Sequence, residues 1–315
     1  MIDYPLTCDP LFQERIWGGR GLQTLFGKAL PPDVPIGESW ELADLPNGQS
    51  VVLNGPLKGR TLGSLMKQYG PEIVGTSGFS GSFPLLIKLL DAKDVLSVQV
   101  HPDAEACRRM GTGQPKTECW YIVAAEPGAV IYKGLKPGTT RDAFAQAIRE
   151  GTCADLLNRV PVKVGQCHFL PSGTCHAIGK GLVIAEIQEP SDTTYRVFDW
   201  NRVDPQTGRA RQLHLEEALE SICFDDCPIA PPTISGRLVD AREFKVDKGH
   251  VSSGQTVHLK SGIMQVLLAL DGAGHIDNGQ SKSVDFSAGQ TVLIPAACKS
   301  VLQATYDITY LAITL

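Results

Sequence analysis

The feature that most limits how this chain can fold is a set of short, β-branched apolar runs with metal-binding side chains at their ends. One run ends at His101 and carries Gln99, a second begins at Glu118, and His176 follows a third run and a Pro-Ser-Gly turn. Alternate side chains of a strand share a face, so Gln99 and His101 are expected to point the same way. Two imidazoles, a carboxylate and an amide oxygen can then meet around one divalent cation inside a barrel. That ligand set suits zinc and leaves iron, manganese or cobalt open.

The spacing before His176 resembles the second motif of the cupin superfamily. Gly165 is followed at fixed distances by Pro171, Gly173 and His176, and in cupins this turn swings the histidine inward. Gln99, His101 and Glu118 would then fill the places of the first cupin motif. Taken singly, His101 also fits a buried, hydrogen-bonded histidine, and Glu118 fits a paired surface acid.

The end of the chain looks like a worn copy of the same motif. Gly289 and Pro295 repeat the spacing of Gly165 and Pro171, but Ala297 and Ser300 stand where the glycine and the histidine would be. We therefore predict a mainly β protein of two cupin-type β-barrels, or jelly rolls. The second barrel has lost its ligands, so we expect one metal ion per chain.

The Pro-rich stretch from 228 to 232 is the best domain boundary. It divides the chain into a metal-bearing cupin domain, 1–232, and a degenerate barrel, 233–315. The first domain is expected to have an irregular N-terminal extension to about residue 85. It also carries a short helical insertion at about 138–160, where apolar residues recur three and four apart.

Three short helices stand out within this β-rich pattern. One covers Thr61–Tyr69 and is expected to end at Gly70-Pro71. The helix of the insertion, Arg141–Glu150, has Thr139 as its expected N-cap. A third follows near Leu215–Leu219.

Composition and charge limit which cellular compartment and which kinds of partner are expected for this protein. The net charge of −5 argues against binding nucleic acid through the overall field, and no stretch has the roughly 20 apolar residues needed to cross a bilayer. The first residues lack the basic region of a secretory signal. Nine irregularly spaced cysteines, with Cys223 and Cys227 four apart, favour free thiols in a reducing cytoplasm.

A cluster of cations beside the predicted metal site points to an anionic ligand. Arg196 follows a run of alternating apolar and acidic residues, and a barrel-lining arginine needs a partner such as a phosphate or an enediolate. Lys88, Lys116 and Ser97 can add to this cluster. Two plainer interpretations stay open: Arg196 forms a salt bridge with Asp192 or Asp199, or Lys88 lies on an edge strand with its ammonium in water.

Two loops near the N-terminus are candidate functional segments. Trp17 precedes two glycines, and Gly37–Glu41 holds two acids and a tryptophan. Trp17 is expected to contact the substrate, although a tryptophan beside glycine is also a common packing device.

Four segments in order resemble type I phosphomannose isomerase in its compact bacterial form. They are Leu96–Asp103, Lys116–Tyr121, Leu170–Gly179 and Ser191–Trp200. The resemblance implies reversible conversion of mannose 6-phosphate to fructose 6-phosphate. It also implies one zinc ion held by Gln99, His101, Glu118 and His176.

The same resemblance assigns the remaining site residues. The family's active-site arginine falls on Arg196, its acidic residue on Glu186, and its conserved lysines and serine on Lys116, Lys88 and Ser97. An aldose becomes a ketose when a proton leaves C2 and returns at C1 through an enediolate, which needs positive charge nearby. We expect Glu186 to move the proton, with Lys116 or a metal-bound water as rivals. Ser97 and Lys88 would bind the phosphate of the substrate and take no part in the proton transfer.

Two other functions stay open from sequence alone. One is a cupin oxygenase with iron in the same site, although Gln99 is unusual for that class. The other is a non-catalytic cupin that binds a sugar phosphate. For the favoured isomerase we expect a small-molecule partner only, no nucleic acid or membrane, and a monomer.

Overall fold

The computed structural model describes residues 2–203, 208–224, 227, 229–279 and 283–315. Within these ranges strands dominate, which confirms the mainly β prediction. The strands are β1 (Leu6–Thr7), β2 (Leu11–Gly19), β3 (Ile36–Leu42), β4 (Asp44–Leu45), β5 (Gly48–Gln49), β6 (Leu86–Ala92), β7 (Val98–Val100), β8 (Glu118–Ala125), β9 (Val130–Leu135), β10 (Leu157–Pro161), β11 (Cys167–Leu170), β12 (His176–Ile178), β13 (Leu182–Gln188), β14 (Tyr195–Phe198), β15 (Arg237–Asp240), β16 (Lys245–Val251), β17 (Thr256–His258), β18 (Gln265–Asp271), β19 (Ala273–Asp277), β20 (Ser283–Ser287), β21 (Thr291–Ile294), β22 (Val301–Ala304) and β23 (Ile308–Thr314). The helices are α1 (Gly21–Phe26), α2 (Leu62–Val74), α3 (Ala104–Met110), α4 (Arg141–Glu150) and α5 (Leu215–Ser221), with 3₁₀ turns at Gly55–Leu57 and Cys153–Leu156.

Two antiparallel sheets enclose the N-terminal core. A six-stranded sheet has the order β11-β8-β13-β6-β3-β2, and a five-stranded sheet has the order β10-β9-β12-β7-β14. The core between them includes Leu90, Trp120, Ile131 and Ile178, with contributions from both sheets. The outer face of the five-stranded sheet is covered by α4 and α5.

The last quarter of the chain, joined by β1, repeats this layering with a six-stranded sheet, β1-β21-β18-β23-β16-β15, and a four-stranded sheet, β17-β22-β19-β20. The two six-stranded sheets pack together through one shared core, to which Ile87, Tyr121, Val266 and Ile313 belong. Strand β1 pairs with β21, so the first residues of the chain lie in the C-terminal sheet.

Strand alternation explains how β6 serves two layers. Ile87 and Leu89 pack into the shared core, whereas Lys88 and Leu90 face the space between the N-terminal sheets. Strand β6 lies between β13 and β3, and Lys88 is buried there. The alternative with Lys88 on an edge strand and its ammonium in water is therefore wrong.

Several local predictions needed correction. Residues before 85 are not irregular, since β2, β3, α1 and α2 lie there. Helix α2 does not end at Gly70-Pro71 but continues to Val74, with a kink at Tyr69, whose backbone leaves the helical range. The kink sits two residues before Pro71, where the ring and the missing amide disturb the helical hydrogen bonds. Helix α4 is capped by Thr140, one residue later than expected, through its hydroxyl and the Ala143 amide.

The cysteine prediction was wrong for one pair. Cys223 and Cys227 form a disulfide, with their Cα atoms 6.6 Å apart, within the reach of such a bridge. The other seven cysteines form no disulfide in the described part of the chain. A four-residue spacing therefore does not exclude a disulfide.

None of the helices in the described part of the chain combines the length and the apolar content that a membrane span requires.

Candidate metal centre and active site

A cavity of about 460 Å³ opens between the two N-terminal sheets. Seven of the ten residues expected to form the site line it: Trp17, Lys88, Ser97, Gln99, Lys116, Glu186 and Arg196. The other three, His101, Glu118 and His176, are almost fully buried beside it. The structure thus brings all ten residues to one region.

Strand register explains why these distant residues meet. His176 on β12 pairs with Gln99 on β7, which in turn pairs with Arg196 on β14. On the facing sheet, Glu186 on β13 lies opposite Lys88 on β6, and Gln188 lies opposite Glu118. Residues directly opposite in an antiparallel pair point to the same face, so both rows face the space between the sheets.

The candidate metal centre is formed by His101, Glu118 and His176. One donor atom from each lies within 4.8 Å of the others. Nε2 of His101 is 3.5 Å from Oε2 of Glu118, and Nε2 of His176 is 3.4 Å from Oε1. The carboxylate therefore bridges the two imidazoles and leaves a space that a single cation can occupy.

Main-chain carbonyls fix the orientation of both rings. Nδ1 of His101 lies 2.8 Å from the carbonyl oxygen of Thr193, and Nδ1 of His176 lies 2.8 Å from that of Thr174. A carbonyl accepts only, so each Nδ1 must carry the proton and each Nε2 presents its lone pair toward Glu118. Metal-binding histidines are commonly held in this way.

Protonation favours ligand chemistry at these three residues. Burial lowers the pKa of His101 to about 4, helped by the Lys116 ammonium, and burial also lowers the pKa of His176. Burial alone would raise the pKa of Glu118, but Lys116 and the imidazoles hold it well below its usual range. Two neutral imidazoles and a carboxylate are the forms that bind a divalent cation.

The hydrogen bonding of the two Glu118 oxygens also favours a bound metal ion. Both are buried and neither accepts a hydrogen bond from the described residues. Nζ of Lys116 lies 2.9 Å from Oε2, which gives electrostatic attraction but not hydrogen-bond geometry. Unsatisfied buried carboxylate oxygens are costly, so the residues present fit a divalent metal ion.

Gln99, which the sequence predicts as a fourth ligand, lies beside His176. Its amide nitrogen is 3.4 Å from Nε2 of His176, and its amide oxygen is 3.3 Å from the hydroxyl of Ser97. A half-turn of the amide exchanges the two atoms and would direct the oxygen toward the histidines.

A row of alternating charges runs beside the metal centre. Oε1 of Glu186 lies 3.4 Å from Nζ of Lys88 and 3.6 Å from Nζ of Lys116. Lys88 also lies 3.9 Å from Oε2 of Glu38, and Lys116 contacts Nε2 of His101 at 3.1 Å. The carboxylate of Glu186 is therefore held between two ammonium groups at the cavity wall.

Arg196 stands at the other side of the cavity. Its Nε donates to the Ser97 hydroxyl at 3.3 Å, and Nη1 donates to the main-chain oxygen of Gln212 at 2.8 Å. Within the described residues Arg196 forms no ion pair with Asp192 or Asp199. Asp199 is paired instead with Arg202 and Arg211. The salt-bridge alternative for Arg196 is therefore wrong, and its charge faces the cavity.

The sequence left several cavity residues without an assigned role, among them Arg15, Glu38, Trp40 and Arg211. Glu38 and Trp40 lie in Gly37–Glu41, which its mixture of acids and tryptophan had marked as a candidate loop. It is a strand, and Nε1 of Trp40 donates to Oε2 of Glu38 at 2.6 Å. No local sequence pattern indicates that β3 pairs with β6, so the sequence does not predict that Glu38 and Trp40 lie beside Lys88.

Fold and site together define a mainly β protein with a candidate metal centre beside a cavity rich in charged side chains. Residues 5–118 match the family model of the phosphomannose isomerase type I catalytic domain. The mannose-6-phosphate isomerase of Streptococcus mutans is 38% identical over 303 residues, which cover 94% of each chain. The chain belongs to the mannose-6-phosphate isomerase family.

Solved structures agree with this assignment. The mannose 6-phosphate isomerase from Bacillus subtilis matches with a TM-score of 0.88 and 30% identity, over 99% of this chain and 100% of that one. A mannose 6-phosphate isomerase bound with zinc and yttrium shares the fold, with a TM-score of 0.77, 16% identity and coverage of 99% and 100%.

Proposed function

We propose that this protein is a metal-dependent aldose-ketose isomerase that interconverts mannose 6-phosphate and fructose 6-phosphate. The observation that carries the proposal is the juxtaposition of two groups of side chains in and beside one cavity. The first is the group His101, Glu118 and His176 beside it, whose carboxylate oxygens accept no hydrogen bond from the described residues. The second is Glu186 held between two lysines, within the same pocket as Arg196.

One zinc ion per chain would be held by Gln99, His101, Glu118 and His176. The nitrogen and oxygen donors suit zinc and do not exclude other divalent metals. When bound, such an ion polarises the oxygens of the sugar at the reacting carbons. The choice of zinc agrees with the distant mannose 6-phosphate isomerase that was solved with zinc and yttrium bound.

Glu186 is the proposed base. Its Oε1 would take the proton from C2 of the aldose and return it at C1, so that the same carboxyl group serves both directions. Lys88 and Lys116, at 3.4 and 3.6 Å from that oxygen, would keep the carboxylate in place. Lys116 also borders Glu118 and remains a second candidate for the proton transfer.

Positive charge on the opposite wall would stabilise the enediolate. Arg196 reaches the cavity from β14 and is positioned by the hydroxyl of Ser97 and by the main chain of Gln212. Oriented cations in a partly dehydrated site lower the energy of a developing oxyanion. Ser97, Lys88 and Trp17 are proposed to bind the phosphorylated sugar within the same cavity.

The two pairs of facing sheets support a division into two cupin-type barrels. We propose a metal-bearing domain, 1–232, with a helical insertion at about 138–160, and a degenerate domain, 233–315. Strand β1 then crosses from the first domain to pair within the second. A monomer in the cytoplasm, with a sugar phosphate as its only partner, fits the acidic composition.

A coupled assay on protein of defined metal content tests the function. Mannose 6-phosphate is supplied, and fructose 6-phosphate formation is followed through phosphoglucose isomerase and glucose-6-phosphate dehydrogenase. Zinc-loaded protein is expected to turn over without oxygen, and the chelated protein is expected to be inactive. Equal rates with and without metal, or a strict oxygen requirement, would contradict the proposal.

A further inference from the structure

A second cavity, of about 770 Å³, lies outside the active site and shares no lining residue with it. It lies between the end of β9, the start of α3, the end of α5 and the turn that precedes His176. Apolar side chains form much of its wall: Leu135, Phe169, Pro171, Ile222 and Ile229. The proposed isomerase chemistry gives this space no role.

One buried cation, Lys133, faces this cavity. It is 2% exposed, and its Nζ donates to the main-chain oxygen of Ala230 at 3.0 Å. It forms no ion pair with a carboxylate of the described residues, and burial lowers its pKa to about 8. An ammonium has three donors, so one hydrogen bond leaves it short of partners.

The acidic groups of the cavity wall are engaged elsewhere. Asp103 caps α3 by accepting from the amide of Ala106 at 2.6 Å. Glu220 forms an ion pair with Arg141. Neither lies in an ion pair with Lys133, and within the described residues the buried ammonium has no counter-charge, which is energetically costly.

We propose that this cavity binds a small monocarboxylate with an apolar body, whose carboxylate pairs with Nζ of Lys133. Lys133 is the buried cation of this wall, and its apolar neighbours suit one negative charge attached to a hydrocarbon group. The bound acid would supply the missing counter-charge while its body covers Phe169 and Ile222.

The bound acid would lie against the segment of main chain that precedes the proposed metal ligand His176. Pro171, Gly173 and Cys175 belong to the cavity wall, and His176 follows them directly. The amide of Gly173 donates to the carbonyl of His101 at 2.7 Å. The new site is therefore separate from the active-site cavity but adjoins the turn that holds two proposed metal ligands.

Calorimetric titration of the zinc-loaded protein tests the proposal. The probes are phenylacetate, benzoate and hexanoate, with phenylacetamide as a neutral partner for phenylacetate. We expect saturable binding of at least one acid and at least tenfold weaker binding of the amide. Lys133→Gln, which can still donate to Ala230, is expected to weaken binding of the acid by a factor of about ten or more.

Lys136→Gln is the matched control, because Lys136 lines the same cavity but is exposed. It should leave the affinity within about twofold. Three results overturn the proposal: no acid binds at millimolar concentration, the amide binds as tightly as phenylacetate, or Lys133→Gln binds like the parent protein. If Lys133→Gln does not fold, the comparison of acid with amide on the parent protein decides.

Discussion

Replacing Glu38 by glutamine would measure how strongly the charge row of the cavity supports the fold. Glu38 is buried, and Oε1 accepts from Nε of Arg15 at 2.9 Å while Oε2 accepts from Trp40 at 2.6 Å. Burial alone would raise the pKa of Glu38, but Lys88 and Arg15 outweigh it and bring the pKa to about 2. Glutamine keeps the shape of the side chain and removes its charge.

The size of the effect follows from the difference between the folded and unfolded pKa values. The ordinary value is 4.5 and the folded value about 2, a gap that corresponds to about 3 kcal/mol at about 1.36 kcal/mol per pKa unit. A lowered folded pKa stabilises the protein above the unfolded pKa, and this contribution is lost as the pH falls through the folded pKa. The contribution should decline from about 3 kcal/mol at pH 6 to about 1 kcal/mol at pH 3.

Urea unfolding between pH 6 and pH 3 measures this decline. Both proteins are kept in chelator, so that metal release does not enter the comparison. The stability difference between parent and Glu38→Gln should narrow by about 2 kcal/mol toward pH 3. Glu105→Gln is the control, since Glu105 is exposed and pairs only across the helix surface with Arg109. A difference that stays constant with pH, or that matches the control, would refute the electrostatic reasoning.

Three further predictions concern the metal centre and the chemistry. Glu186→Gln should lower kcat by at least about a hundredfold while the metal content measured by elemental analysis stays at one per chain; an almost unchanged kcat would remove Glu186 as the base. His176→Ala should lose both bound metal and turnover, because Glu118 then keeps one imidazole neighbour instead of two, and full metal occupancy in this variant would speak against the ligand set. Elemental analysis of the unmodified protein should give one tightly bound metal ion per chain, and zinc should restore it after chelation. Two bound ions per chain would contradict the predicted loss of ligands from the degenerate barrel, 233–315.

Much of the candidate site could be predicted from the sequence because the proposed ligands lie in short strands and turns that are recognisable from neighbouring residues. Glu118 begins β8, and His176 begins β12 after the Pro-Ser-Gly turn, as the runs and turn residues predicted. Gln99 and His101 reach the same site from β7 and the residue after it. A strand period of two and a turn of fixed length are set by a few neighbouring residues, so they can be read from sequence.

What the sequence did not reveal depends on pairing between distant segments. Strand β1 pairs with β21, nearly the whole chain away, and nothing within Leu6–Thr7 indicates that partner. The continuation of α2 past Pro71 likewise depends on burial, since Ile73 and Val74 pack into the shared core. Tertiary packing here overrides a local breaker that would otherwise end the helix.

Glu38 shows both what the sequence reveals and what it does not. The apolar run around Lys88 predicts this lysine as a cation of the site. Its partner Glu38 lies fifty residues earlier on β3, and the two meet because the register of β3 and β6 pairs Trp40 with Lys88. The buried ammonium of Lys88 lies between the carboxylates of Glu38 and Glu186, which offset the cost of its burial. In the proposed mechanism, Glu186 moves the proton while Glu38 helps to neutralise Lys88. If so, Glu38→Gln should lower kcat as well as acid stability, while the surface control Glu105→Gln changes neither.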